Sequence, residues 1–224
     1  MRDRSYVART IGRWALLTSL FAFLLFFAAG TTEIASLRAY VTTFSGLLLV
    51  TMLAVHPDLA EERLQTHEGA LDSGVRLASG FLFLVTVVAA ALDVGRLHES
   101  DTVAASGRLA ALLAFSAAVA FQASAMIVNP FFSPVIRLQG ERNHRLITRG
   151  PYRLLRHPGY LGMVVAIPTS ALALGSWLAL IPGLAFSVVI IRRTECEDQF
   201  LKVNLPGYTD YSGKVRYRLL PGIW

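Results

Sequence analysis

Long apolar stretches dominate this chain and leave a membrane-spanning protein as the main way to fold it. Four of them contain no charged residue and are long enough to cross about 30 Å of hydrocarbon as helices: 14–30, 40–55, 77–92 and 109–128. Hydrophobic residues make up 54% of the 224 residues and charged residues only 16%, which is too apolar for a soluble domain of this length. The first run follows several arginines, as a signal peptide does, but more membrane segments come after it, so we expect it to remain as a helix.

Two shorter apolar runs, 160–174 and 176–191, flank Gly175 and predict a helical hairpin. At 1.5 Å per residue, about 15 residues span only about 23 Å, so we expect this pair to be tilted or to enter only part of the bilayer. Pro168 and Pro182 are expected to kink the two helices. The predicted fold is all-α, a polytopic integral membrane protein of about six helices whose last two form the hairpin.

The distribution of basic residues predicts the orientation. With the amino terminus in the cytoplasm, only Arg38, Arg96 and Arg108 of the 21 Lys and Arg fall outside the cytoplasmic face. This bias follows the positive-inside rule and predicts both termini in the cytoplasm, in the cell inner membrane. The net charge of +6 therefore reflects topology and contact with membrane lipids, and we expect no nucleic-acid partner.

Polar chemistry is concentrated after residue 128, so we expect one membrane domain with two parts. Residues 1–128 form four transmembrane helices, and 129–224 form the functional part. The segment 149–162 packs four ionisable side chains, two prolines and three glycines between apolar regions, which is more than a simple connection needs. The segments 139–147 and 193–198 are also polar, and all three are expected on the cytoplasmic face.

Several of the remaining polar residues have specific expected roles. Arg193 and Glu197 are four residues apart on a predicted helix and share a face, so they either point into one pocket or form a surface ion pair. Asp93 is expected to face water or to pair with Arg96. The lone Cys196 excludes an internal disulfide and a multi-cysteine metal site, and we expect no metal. Interfacial anchoring to anionic lipid heads is expected of Arg137, Arg142, Arg145, Arg149 and Arg153.

The order of motifs in the second half resembles the bacterial branch of the isoprenylcysteine carboxyl methyltransferase family. The similarity covers roughly residues 56–224, and Asn143 stands where this branch usually has glycine. The motifs that carry it are His56-Pro57-Asp58-Leu59, Asn129-Pro130-Phe131-Phe132-Ser133, Val135 to Gln139, Gly150-Pro151-Tyr152-Arg153, Arg156 to Gly162, Arg193-Thr194, Glu197-Asp198, Leu205-Pro206-Gly207-Tyr208 and Val215 to Trp224.

This resemblance implies an integral membrane enzyme that transfers a methyl group from S-adenosyl-L-methionine, held in a cytoplasm-facing pocket, to a lipophilic acceptor from the bilayer. It implies a substrate-binding role for Arg193, and catalytic roles for Arg193, Glu197 and His157. The cofactor contacts that it implies are Gln139, His144, Arg145, Leu146, Ile147, Tyr152, His157, Pro158, Gly159, Tyr160 and Glu197.

The residue chemistry is compatible with that role and leaves the acceptor open. S-adenosylmethionine carries two cationic groups and a carboxylate, so its site needs an acid, hydrogen-bond donors and aromatic or apolar walls. A carboxylate acceptor needs its charge held, which Arg193 does well. An amine acceptor must lose a proton, with His157 or Glu197 as the base. His157 is alternatively a capping residue of the fifth helix.

We favour carboxyl O-methylation of an isoprenylcysteine-like acceptor, whose natural identity the sequence does not give. The alternatives are methylation of a lipid amine, a membrane NADPH-dependent reductase and a membrane scaffold without catalytic activity.

Overall fold

A computed structural model describes residues 4–62 and 73–224, without the side chains of residues 60, 61 and 73. Within these ranges the chain forms helices and no strands, so the all-α prediction is confirmed. A five-residue π-helix, Asp93–Leu97, continues α4, and short 3-10 helices form at Gly140–Arg142 and Gly150–Arg153. The α-helices are α1 (Arg4–Ala29), α2 (Ala35–Ala54), α3 (Pro57–Glu62), α4 (Ser73–Leu92), α5 (Ala105–Val128), α6 (Pro158–Leu174), α7 (Leu180–Asn204) and α8 (Tyr208–Lys214).

Four helices in the described ranges are long and apolar enough to cross a membrane, namely α1, α2, α4 with its π-helical extension, and α5. Each contains most of one of the four stretches predicted from the sequence. α1 begins at Arg4, ten residues before the apolar run. The reason is that an apolar run marks the part of a helix that can lie in hydrocarbon, whereas backbone hydrogen bonding continues into polar residues.

The predicted hairpin is formed by α6 and α7. α6 ends at Gly175, whose φ of +113° is a left-handed conformation that suits glycine and stops the helix. α7 continues past the apolar run and includes the polar segment 193–198, which was expected at the end of this helix, and it extends further to Asn204. Polar side chains in the second half of α7, such as Glu197 and Asp198, have hydrogen-bond partners within the protein, so the helix continues beyond the last apolar residue of the run.

Of the two hairpin prolines, only Pro168 lies within a helix interior. Pro182 occupies the first turn of α7, where no intrahelical N–H donor is required. Pro168 has no N–H to donate to the carbonyl of Val164. Ser187 of α7 supplies the missing donor, with its hydroxyl 2.8 Å from the Val164 oxygen. Pro168 leaves the Val164 carbonyl without a helical donor, and the hydrogen bond that this carbonyl accepts from Ser187 joins α6 to α7.

The main hydrophobic core joins α1, α2, α4, α5 and α6. Tyr40 of α2 is fully buried in it and donates a hydrogen bond of 2.8 Å to Ser170 of α6. α5 packs along α6, so the start of α6 is supported by a membrane-spanning helix. The site described below is built on that start.

Asp93 anchors the opposite end of the helix bundle. It is fully buried and accepts hydrogen bonds of 2.5 Å from the hydroxyls of Ser100 and Ser176, as well as two from backbone N–H groups of the loop that follows. The expectation that it pairs with Arg96 is wrong for the described contacts. Arg96 donates to the carbonyl of Ala28 at 2.8 Å. Hydrogen bonds from two serine hydroxyls and two backbone N–H groups stabilise this buried carboxylate, so it needs no cation as a partner.

Candidate functional site

A small cavity of about 60 Å³ lies where the segment 129–160 meets the second half of α7 and α8. Eight of the residues predicted as a site line it together, although they are far apart in sequence. They are His144, Arg145, Leu146, Ile147, Tyr152, His157, Tyr160 and Glu197. The walls are otherwise mainly apolar and aromatic, with Phe131, Phe132, Phe200, Leu201, Leu205, Tyr208 and Tyr211 among them.

Glu197 places a carboxylate on this wall, and the hydroxyl of Tyr160 donates a hydrogen bond to it. On the other side of the cavity the Tyr152 hydroxyl accepts a hydrogen bond of 3.1 Å from the Asn129 amide. Burial raises the pKa of the Tyr152 phenol above its ordinary value, so this group is neutral at physiological pH. The cavity wall therefore combines the carboxylate of Glu197, the arginines Arg137, Arg145 and Arg156, and neutral aromatic side chains.

Four of the predicted residues lie outside the wall of this cavity: Gln139, Pro158, Gly159 and Arg193. Gln139 is fully buried behind the wall, where its amide donates 2.8 Å to the carbonyl of Phe131 and accepts from Arg142. The His144 ring stacks on the Phe131 ring with centroids 4.5 Å apart. Gln139 thus holds the backbone of Phe131, whose ring stacks on His144, and does not face the cavity. Burial, followed by the charges of Arg142 and Arg137, lowers the pKa of His144 and favours its neutral form.

Gly159 sits against Phe132 at the start of α6. A Cβ added at this glycine would lie 2.4 Å from the Phe132 ring, so any side chain would displace the ring. Phe132 lines the cavity and must approach α6 closely to do so. This explains why glycine follows Pro158 at this point of the sequence.

His157 occupies the N-cap position of α6, but its side chain does not cap the helix. Its Nε2 lies 3.2 Å from the Tyr208 hydroxyl and 3.4 Å from Asp198 Oδ1, and its ring stacks on Tyr160. The capping alternative is therefore wrong. The ring instead connects the cavity wall to a buried carboxylate.

Asp198 is that carboxylate, and it is fully buried one residue after Glu197. Burial by itself raises its pKa, but hydrogen bonds from His157 and Arg218 and the charge of Arg156 outweigh burial and hold the pKa well below its ordinary value. Its neighbours come from four parts of the chain: Arg156 Nε at 3.1 Å, Arg218 Nε at 3.0 Å, the Tyr208 hydroxyl at 2.9 Å, His157 Nε2 at 3.4 Å and Lys202 Nζ at 3.4 Å.

The carboxy-terminal tail and α8 complete this cluster. The backbone N–H groups of Arg156 and His157 each donate at 3.0 Å to carbonyls of the tail, those of Tyr217 and Arg218. Tyr211 of α8 donates at 2.7 Å to the carbonyl of Tyr152. The tail thus holds the loop that carries the cavity wall.

The sequence analysis missed Asp198, Arg156 and Tyr208. A usable signal was present, because adjacent helical residues point about 100° apart and only one of Glu197 and Asp198 can face a given cavity. With Glu197 facing the cavity, Asp198 had to be either exposed to water or buried with cationic partners. Basic residues at 156, 202 and 218 were available to pair with it.

Arg137 links the cavity wall to α3. Its guanidinium lies 2.9 Å from both carboxylate oxygens of Glu62, which is 3% exposed, and 2.7 Å from Glu141. Ser133 also donates to Glu62, at 3.1 Å. Arg137 and Arg142 have partners within the protein, and their role as lipid anchors stays a prediction.

A second cavity of about 790 Å³ lies among α1, α2, α4, α5, α6 and α7. It meets the first cavity at three shared residues, Phe132, Ser133 and Tyr160. Arg193 lines this second cavity. Its guanidinium donates a hydrogen bond of 2.6 Å to the carbonyl of Pro134 and lies 5.5 Å from the centre of the Tyr160 ring. Arg193 and Glu197 therefore lie one helical turn apart but line different cavities, with Tyr160 between them.

Comparison with known proteins agrees with the resemblance found in the sequence. The model of the isoprenylcysteine carboxyl methyltransferase (ICMT) family matches residues 110–203. The probable protein-S-isoprenylcysteine O-methyltransferase of Oryza sativa subsp. indica is 37% identical over 89 residues, which are 38% of this chain and 45% of that protein. The cobalt-zinc-cadmium resistance protein CzcN of Cupriavidus metallidurans is 38% identical over 83 residues, 35% of this chain and 37% of that protein.

The matched region thus spans less than half the length of these curated relatives. Among solved structures, a eukaryotic intramembrane Ras methyltransferase, ICMT, matches with a TM-score of 0.49 at 17% identity, covering 96% of this chain and 77% of that one. The similarity to the isoprenylcysteine carboxyl methyltransferase family is confirmed for residues 110–203, which include α6 and nearly all of α7. The chain is an integral membrane protein with apolar membrane-length helices.

Proposed function

We propose that this protein is an S-adenosyl-L-methionine-dependent methyltransferase that O-methylates a carboxylate on a lipophilic, isoprenylcysteine-like acceptor. The observation that carries the proposal is the junction of a small cavity and a large one at Tyr160. The small cavity has the carboxylate of Glu197, three arginines and aromatic side chains on its wall. The other is large, mainly apolar, lies among membrane helices and has Arg193 on its wall. A reaction between a polar and a lipophilic molecule needs such a junction.

The small cavity has the chemistry that the cofactor requires. Glu197 offers a negative charge to a cationic group, Tyr152 and Tyr160 offer aromatic faces, and Leu146 and Leu201 add apolar surface. Its 60 Å³ is below the roughly 300–1,000 Å³ of typical ligand pockets. Binding of the cofactor therefore requires this cavity to widen.

The residues of this chain would then act mainly by positioning. The cofactor supplies an already activated methyl group, so alignment of the acceptor and exclusion of water provide most of the acceleration. Arg193 can hold a carboxylate through two N–H groups. The fixed contact of its Nη2 with the carbonyl of Pro134 and the Tyr160 ring beneath it limit how far the guanidinium can move. A carboxylate needs no base, so none is assigned.

Location and organisation follow from the same proposal. We place the cofactor cavity and both termini in the cytoplasm, and the protein in the cell inner membrane, on the distribution of arginines described above. Residues 1–128 then contribute mainly to the acceptor cavity, and 129–224 form the cofactor-binding part of the same domain.

The direct test is binding and transfer with tritiated S-adenosyl-L-methionine and purified protein. We expect saturable binding, and transfer of the tritiated methyl group to prenylated cysteine analogues with a rate that increases with chain length. Binding without transfer to any acid would favour an amine acceptor or a scaffold. No binding at all would contradict the proposal. Efficient methylation of short, water-soluble acids would rule out the large cavity as the acceptor site.

A further inference from the structure

Three arginines line the large cavity beside its apolar interior. Arg9 and Arg13 come from the start of α1, and Arg76 comes from the start of α4. None of the three forms an ion pair or a side-chain hydrogen bond in the described part of the chain. The described residues that line this cavity also include no aspartate or glutamate. Among the described residues that line the cavity, the three positive charges therefore have no acidic counterpart.

Several other arginines have partners within the protein. Arg137 is paired with Glu62, Arg156 and Arg218 with Asp198, and Arg96 donates to backbone carbonyls. Arg9 and Arg13 are exposed and Arg76 is half-buried, so the attraction of these charges for an anion is partly screened by water and salt. The positive-inside rule explains arginines at these helix ends, but it does not explain why three of them line the same cavity.

Arg9 and Arg13 also repel one another. They are four residues apart on α1, a spacing at which like charges face each other and destabilise the helix. A bound anion between them would convert this repulsion into a shared attraction. The positions of Arg9 and Arg13 on the cavity wall are therefore suitable for binding an acidic group between them.

We propose that the acceptor is an amphiphile with a second acidic group besides the carboxylate that is methylated. The second group is held by Arg9, Arg13 and Arg76, and the long chain fills the apolar interior around Phe44 and Phe115. This inference rests on the proposed function, because Arg193 takes the reacting carboxylate. It adds to the proposed function that the acceptor carries a second negative charge, away from the carboxylate that is methylated.

The test compares hexadecylsuccinic acid, which has two carboxylates, with hexadecanoic acid, which has one. Each displaces a fluorescent fatty acid from the purified protein at about pH 8, where carboxyl groups are ionised. We expect the diacid to bind about tenfold more tightly, equivalent to about 1.4 kcal/mol. The triple variant with Arg9→Gln, Arg13→Gln and Arg76→Gln should lose this preference and bind the monoacid nearly as the parent protein does.

Arg192→Gln is the matched control, because Arg192 is exposed and lines neither cavity. It should keep the preference. The parent protein gives a second readout that needs no variant, since added salt should reduce the preference for the diacid. Equal affinity of the two acids for the parent protein, or an equal loss of both in the triple variant, would overturn the inference.

Methyl transfer to the same two acids separates this inference from the proposed function. Methylation of both acids with equal kcat/KM would overturn the inference and support the function. A preference for binding the diacid that depends on the three arginines supports the inference. Bound acids that receive no methyl group from saturating S-adenosyl-L-methionine would count against the proposed function.

Discussion

The hydroxyl of Tyr160 donates a hydrogen bond to Glu197, so the first turn of α6 is joined to the second half of α7. The same tyrosine ring lies 5.5 Å below the guanidinium of Arg193. A carboxylate and a guanidinium one helical turn apart are thereby kept on opposite sides of one aromatic ring. This separation is what allows one helix to serve two cavities.

Glu197→Gln is expected to weaken S-adenosyl-L-methionine binding more than tenfold, about 1.4 kcal/mol, because a charged partner of a cation is lost while the shape is kept. Equilibrium binding of the tritiated cofactor measures this. Glu195→Gln is the control, since Glu195 lies on the same helix near Arg192 and lines neither cavity. Equal affinity of the Glu197 variant and the parent protein would remove Glu197 from the cofactor site.

Arg193→Lys distinguishes a carboxylate acceptor from an amine. For a carboxylate, we expect most activity to be lost, because a point charge replaces a two-pronged donor, while cofactor binding is kept. For an amine, the variant should be nearly as active as the parent protein, and the rate should rise with pH as the amine loses its proton. Initial rates over a range of pH, with both proteins, decide between them. A rate that depends strongly on pH together with an active variant would refute the carboxylate assignment.

Asp198→Asn should destabilise the protein by about 3–5 kcal/mol, because the buried Arg156 and the half-buried Arg218 lose their shared counter-charge. Because the folded pKa of Asp198 lies below the unfolded value of about 3.9, its charge stabilises the fold at neutral pH. That contribution begins to fall once the pH drops below about 4. Thermal unfolding in detergent measures both effects.

The asparagine variant should lack the part of the acid dependence that comes from this residue. Asp210→Asn serves as the control, because Asp210 is exposed on α8. If the parent and Asp198→Asn proteins lose stability in parallel as the pH falls from about 5 to 3, Asp198 is not the group that titrates.

Ser187→Ala is expected to destabilise the hairpin by about 0.6 kcal/mol, the average for hydrogen bonds between membrane helices. The effect depends on Pro168, because only a proline leaves the Val164 carbonyl without its helical donor. In a Pro168→Ala background the same serine change should therefore cost much less. A double-mutant cycle of thermal unfolding measures the coupling. Additive effects would show that the serine bond does not compensate for the proline.

The helices that cross the membrane could be predicted because bilayer thickness imposes a length on apolar runs. The end of α7 at Asn204 could not, since the apolar run stops at residue 191 and the contacts of the polar half, such as Tyr160 with Glu197 and Arg218 with Asp198, come from distant parts of the chain. Similarly, Asp93 was expected to need water or Arg96. The hydroxyls of Ser100 and Ser176 donate hydrogen bonds to it instead, and no local sequence pattern predicts the contact with Ser176, which is 83 residues away.

The candidate site was predictable to the extent that its residues lie in short motifs. His144 to Ile147, Tyr152, His157 and Tyr160 line one cavity as a group. The different orientations of Arg193 and Glu197 could not be predicted. Helical spacing places them on one side of α7, but the position of the Tyr160 ring decides which cavity each one faces.

The large cavity lies among membrane helices, so the amount of acceptor per litre does not set its occupancy. What counts is the mole fraction of acceptor in the surrounding lipid or detergent. Adding detergent at a fixed total amount of acceptor would thin out the acceptor in each micelle and slow the reaction, whereas the dependence on the water-soluble cofactor would still follow its bulk concentration. Under the proposed function the protein draws its two reactants from different phases, so their concentrations are measured on different scales.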